Sequence, residues 1–156
     1  MTDHVAVLKN YPLRLWLRQQ EHYDTLMREF QLLVLSANDG DSHAPQELLT
    51  LASYITGAHG KVVDEITEKR HAALARGLDR MDSYVPLIDG LPELLDQVDT
   101  VMQSVDDYCR NAQLLLLPRT PDLIAFADWT STELRRQYAG DAPSPWPGLF
   151  EPPARQ

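Results

Sequence analysis

The chain has 156 residues with a single cysteine, Cys109, and its 23 Asp and Glu outnumber its 14 Lys and Arg, leaving a formal charge of −9. One domain of this size buries roughly two-thirds of the surface exposed by the unfolded chain, so it needs no disulfide or metal staple. The cations are scattered, with nothing beyond pairs such as Lys69-Arg70 and Arg135-Arg136; this argues against nucleic acid and anionic membrane as partners, since both demand a basic patch.

Residues 1–11 read as extended, with Val5-Ala6-Val7-Leu8 leading to Asn10-Tyr11-Pro12. Met1-Thr2-Asp3-His4 shows no basic region followed by an apolar run, and the longest apolar run, Leu114 to Pro118, falls far short of the roughly 20 residues that span a bilayer. With a lone cysteine that fits a reducing compartment, a cytoplasmic protein is expected.

A first helix is predicted from about Pro12 to Ala37, because Leu13, Trp16, Leu17, Tyr23, Leu26, Met27, Phe30, Leu33, Val34 and Ala37 recur every three or four residues. Leu15, Leu32 and Leu35 lie outside that stripe and make this helix the candidate for a homodimer contact. Turn residues follow at Asn38 to Ser42. A second helix starts near Pro45, with the stripe Leu48, Ala52, Ile55, His59, Val62, Ile66 and Ala73. Gly57 and Gly60 cost about 1 kcal/mol each in a helix interior, yet the period stays in phase across them. The helix is therefore expected to continue, with the two glycines offering a close approach to another helix; a break there is the alternative.

Residues 77–90 read as a long connection with Tyr84, Val85, Leu87 and Ile88 tucked inward. A third helix spans about Leu91 to Leu116. Its outer face carries Glu93, Asp96, Asp99, Asp106 and Asp107, offset in sequence only by Arg110. The fourth helix opens on Thr120 as cap, Pro121 at the first position and Asp122 against the dipole; Phe126 and Trp129 fall on its flank, Tyr138 inward, and Gly140 suits a left-handed stop. In the tail, Pro143, Pro145 and Pro147 alternate around Trp146, so it should be extended, with Trp146 and Phe150 as anchors. The expected fold is all-α: a four-helix bundle, mostly antiparallel, over residues 1–140, with an extended N-terminal segment and a proline-rich tail over 141–156.

Candidate chemistry is sparse. Glu68 and His71 share a helix face at Glu-x-x-His spacing, but a di-iron site needs a second such pair and two more glutamates, and no other Glu-x-x-His exists. No metal or cofactor is expected. Ala58-His59-Gly60-Lys61 loosely resembles a phosphotransfer histidine, with the lysine and glycine misplaced; a core histidine between Ile55 and Val62 is the plainer reading. Cys109 sits among Val105, Tyr108 and Ala112 as a small hydrophobe, with Asp106 and Asp107 disfavouring its thiolate. No serine-nucleophile elbow, phosphate loop or dinucleotide fingerprint occurs. The residues offered to a protein partner are Asp96, Asp99, Asp106 and Asp107, together with Trp146 and Phe150 of the tail.

Pro12-Leu13-Arg14-Leu15-Trp16, Glu21-His22-Tyr23-Asp24 and Leu26 to Phe30, together with Asp128-Trp129 through Gln137, Gly140 and Pro143 to Gly148, resemble a family of small, uncharacterised actinobacterial helical proteins. The resemblance covers about a third of the chain, at its two ends, and carries no catalytic residue. It implies an association with anti-sigma-factor kinases and their antagonists in partner-switching stress regulation. The expectation is a non-enzymatic regulatory protein that docks a helix face or its tail on a protein partner. A bundle holding a small ligand or metal as a sensor is the alternative, and phosphotransfer through His59 a weaker one.

Overall fold

The computed structural model describes residues 5–36, 43–111 and 118–148. The elements run β1 (Val5–Pro12), α1 (Leu13–Ser36), α2 (His43–Ala75), β2 (Arg80–Pro86), α3 (Leu91–Asn111) and α4 (Pro121–Tyr138). Helices dominate, and the four fall where the apolar periods place them. Each helix packs against the next in sequence, and α4 also packs against α1.

The all-α expectation needs one correction. The N-terminal segment pairs antiparallel with residues read as a connection, forming a two-stranded sheet in which Val5 faces Pro86 and Pro12 faces Arg80. The register shifts between Leu8 and Tyr11, where Asn10 takes a left-handed φ of 56°. The shift puts Leu8 and Tyr11, three residues apart, both in the core. Neither strand announces itself locally, because each is short and its partner lies some 70 residues away in the chain.

Two helices end in a way the sequence allows to be read. At α4, Gly140 N–H bonds Gln137 C=O (3.0 Å) and Asp141 N–H bonds Arg136 C=O (2.9 Å), with Gly140 at φ 102°. This is a Schellman stop, and the predicted left-handed glycine supplies it. Gly77, at φ 83°, does the same for α2. At the other end of α4, Thr120 occupies the cap position in extended conformation but its side chain accepts no capping bond; its hydroxyl donates to Asp122 instead.

The buried side chains form two clusters. The larger joins β1 (Ala6, Leu8, Tyr11), the start of α1 (Leu13, Trp16), Ala73 of α2, Leu91 of α3, α4 (Leu123, Phe126, Leu134) and Trp146. The smaller holds Leu26 and Phe30 of α1 with Ala44, Leu48, Val105 and Cys109. Several sequence expectations change at this level. Phe126 is fully buried rather than on a flank, whereas Tyr138 is 42% exposed rather than inward. Leu15 is buried and so leaves the proposed dimer face, while Leu32 is exposed and the Leu35 side chain lies outside the described residues. α2 runs unbroken through Gly57 and Gly60. Among the described residues no other helix lies against these glycines, however: a Cβ at Gly57 would meet nothing within 4 Å, and one at Gly60 only Thr56 of its own helix.

One polar group is held inside the larger cluster by rings. The Arg70 guanidinium lies over Tyr11, 4.2 Å from its centroid, and 5.5 Å from that of Trp16, while its Nε donates to Ser83 Oγ at 3.0 Å. Burial pushes the Tyr11 hydroxyl up from 10.0 to about 12, against the opposing pull of Arg70. A raised folded-state value means the contribution is complete below pH 10 and is lost as pH climbs from 10 towards 12, because only the unfolded chain ionises there. Two units correspond to roughly 3 kcal/mol. Denaturant titrations at pH 9 and pH 12 should show that loss in the wild type, and Tyr11→Phe should flatten it.

Candidate functional site

The acidic face predicted on α3 is largely engaged within the molecule. Arg135 of α4 reaches across to Asp96 (2.8 Å) and Asp99 (3.1 Å), and Ser131 Oγ also donates to Asp99. Asp107 pairs with Arg110 one turn on, at 2.8 Å. Asp106 is not on an outer face at all: it is 4% exposed and receives Arg119 through the backbone N–H (3.2 Å), Nε (3.0 Å) and NH2 (2.9 Å). The cations that offset this face therefore come from Arg119 and Arg135 as well as Arg110. Only Arg110 is adjacent in sequence; the other two lie on segments further along the chain. Trp146 is buried at 2% exposure, and Phe150 lies outside the described residues. Cys109 is buried, and its thiol is pushed up by that burial first and by Asp106 second, with Arg110 opposing.

His59, expected on a buried stripe, is half-exposed, its ring 6.2 Å from that of Tyr54. The whole middle of α2 shares this condition. Leu48 and Ala73 are buried at either end of the stripe, but none of residues 49–72 is. The reason is architectural. α2 has 33 residues, a rod of about 50 Å, and its two ends seat in the two separate clusters. Between them the stripe is only partly covered, with Ala52, Ile55, Val62 and Ile66 all short of full burial.

Beside this span lies an open groove of about 1000 Å³ between α2 and α3. Leu51 of α2, Ile88 of the β2–α3 connection, and Leu94 and Val101 of α3 give it apolar walls, while Tyr54 and Tyr138 add rings. The exposed carboxylates of Glu47, Asp89 and Glu93 stand at its rim. His59 lines it too, and among the described lining residues there is no lysine or arginine. The groove is an apolar trough with a negative edge, suited to an elongated apolar surface carrying positive charge. No local signal in the sequence marks it, because Tyr54, Asp89 and Tyr138 belong to three different segments.

Glu68 and His71 have both carboxylate and ring on the exposed side of α2, and the His71 ring packs edge-on against Trp16 at 4.9 Å. Among the described residues no three His, Cys, Asp or Glu side chains are placed to share a metal ion. No helix among them is long and apolar enough to cross a membrane. No family model matches the chain, and no curated protein or solved structure shows significant similarity to it.

Proposed function

We propose that this protein is a non-enzymatic regulatory or interaction module, a mostly antiparallel four-helix bundle that receives a basic amphipathic helix of a protein partner in the groove between α2 and α3. The carrying observation is the lining of that groove, where Leu51, Tyr54 and His59 of α2 stand with Ile88, Leu94 and Val101 and none of the six is buried. Helix-in-groove recognition uses apolar anchors at i, i+3, i+4 and i+7, and a trough of about 1000 Å³ has room for several such side chains. Glu47, Asp89 and Glu93 would then face the partner's cations, adding to the attraction of a chain whose net charge is −9. A setting in stress or sigma-factor signalling rests on the sequence resemblance alone.

The test uses amphipathic helical peptides of about 15 residues with one apolar face and either Lys or Glu on the other. The basic peptide should shift amide resonances of Leu51, Leu94 and Val101, with an affinity that falls as salt rises. The exposed triple reversal Glu47→Lys, Asp89→Lys, Glu93→Lys should weaken it about tenfold or more. Equal binding of the acidic peptide, or no shift at the groove with either, overturns the reading. A small apolar ligand is the second reading, favoured by a volume at the upper end of small-molecule sites. It predicts instead a salt-independent ligand unaffected by the triple reversal.

A further inference from the structure

The segment after α4 is fastened to the body at every second residue. Ala142 C=O accepts from Arg136 NH2 at 3.1 Å. Ser144 N–H donates to the buried carboxylate of Glu133 at 3.1 Å. Trp146 uses both its backbone groups: its N–H donates to Lys9 C=O (3.0 Å), and its C=O accepts from Asn10 Nδ2 (3.0 Å). The intervening positions are Pro143, Pro145 and Pro147, which have no N–H to leave unpaired. Alternation of proline with bonded residues is thus the pattern of a strap built to lie extended along a surface.

That surface is the edge of β1. Further along the same strand the Gln137 side-chain amide takes both backbone groups of Val7, each at 2.9 Å, so a side chain and a strap together stand where a third strand would be. Beneath the strap, the Trp146 indole meets Phe126 (5.8 Å) and Trp129 (5.4 Å) edge-on, and Tyr11 closes on both of those rings. Trp146 is the one residue of the strap that is buried; Ser144, Pro145 and Pro147 beside it are exposed. A single deep aromatic anchor between exposed neighbours is how an extended peptide is held by a receptor, and it differs from a strand woven into a core.

We propose that the β1 edge and its aromatic box form a peptide-binding site for an extended segment with one tryptophan between prolines, occupied at rest by residues 142–148 of the same chain and able to take that segment from a second copy. Exchange would pivot on residues 139–141, where the Schellman stop ends α4 and no buried residue holds the chain. The site is independent of the groove between α2 and α3.

The experiment uses a fluorescent peptide with the sequence of residues 142–148 and full-length protein. Trp146→Ala vacates the box and should bind the peptide, whereas the wild type, whose own strap competes at an effective concentration near millimolar, should bind it at least tenfold more weakly. A peptide with alanine for tryptophan should not bind. A folded Trp146→Ala protein that ignores the peptide overturns the proposal. Should that variant not fold, Ser144→Pro decides: it leaves the β1 edge and the aromatic box intact and removes from the strap alone the N–H that donates to Glu133, a bond the peptide keeps. It should bind the peptide several-fold more tightly than wild type, and equality overturns the site. Sedimentation of the wild type at rising concentration reads the second-copy occupant: a dimer that excess peptide dissociates supports it, and a monomer throughout overturns that occupant.

Discussion

Asp106→Ala is expected to destabilise the fold by about 3–5 kcal/mol, the cost of leaving one member of a buried ion pair without the other. The side chains of Arg119 and Asp106 are 10% and 5% exposed, so water cannot replace the lost carboxylate. The same carboxylate also accepts the Arg119 backbone N–H, and it ties the segment before α4 to the side of α3. Urea titration of the variant measures the loss. The double variant Asp106→Leu, Arg119→Met separates the two roles. It removes the stranded charge, so it should recover much of the stability, but the Arg119 N–H remains without its acceptor and should still cost about 1–3 kcal/mol. A double variant no better than the single would show that the stranded Arg119 charge is not the source of the loss.

Phe126→Ala should cost a similar amount, about 3–5 kcal/mol, equivalent to a fall in melting temperature on the order of 10 °C for a chain of this length. Phe126 is fully buried and its ring joins three parts of the molecule: Tyr11 of β1 at 5.3 Å, Trp146 of the strap at 5.8 Å, and its own helix α4. Truncation leaves a cavity bounded by rings that cannot collapse into it. Loss of the strap's anchor should accompany the loss of stability, visible as a red shift of tryptophan emission in the folded variant. Phe126→Leu, which keeps apolar volume but not the ring edges, should recover part of the stability and less of the emission change. A variant with native stability and emission would mean that the strap is not seated on this ring.

The sheet adds a device that limits self-association. A two-stranded ribbon has two open edges, and an open edge invites pairing with another chain. Along β1 the exposure is reduced by Gln137, whose amide imitates a strand's backbone groups, and by the strap. If the strap exchanges, the covering and the association become the same event, with the prolines preventing the strap from extending into a continuous ladder.

Much of the helical architecture was legible in the sequence because helix formation is written locally. The apolar periods of α1 and α3, the Pro121 start, and Gly140 past the end of α4 each act within a few residues, and so did the extended habit of a tail with proline at every second position. What depended on distant segments was not legible. β1 and β2 acquire meaning only from each other, since a short extended run becomes a strand when a partner lies beside it. Asp96, Asp99 and Asp106 looked like a solvated acidic face until tertiary structure brought Arg135 and Arg119 against them. The stripe on α2 marks the more covered side of that helix, but the groove lies around the helix from it, where Glu47, Leu51 and Tyr54 meet residues of later segments. That was decided by the separation of two cores along a single long helix, which leaves the groove between them.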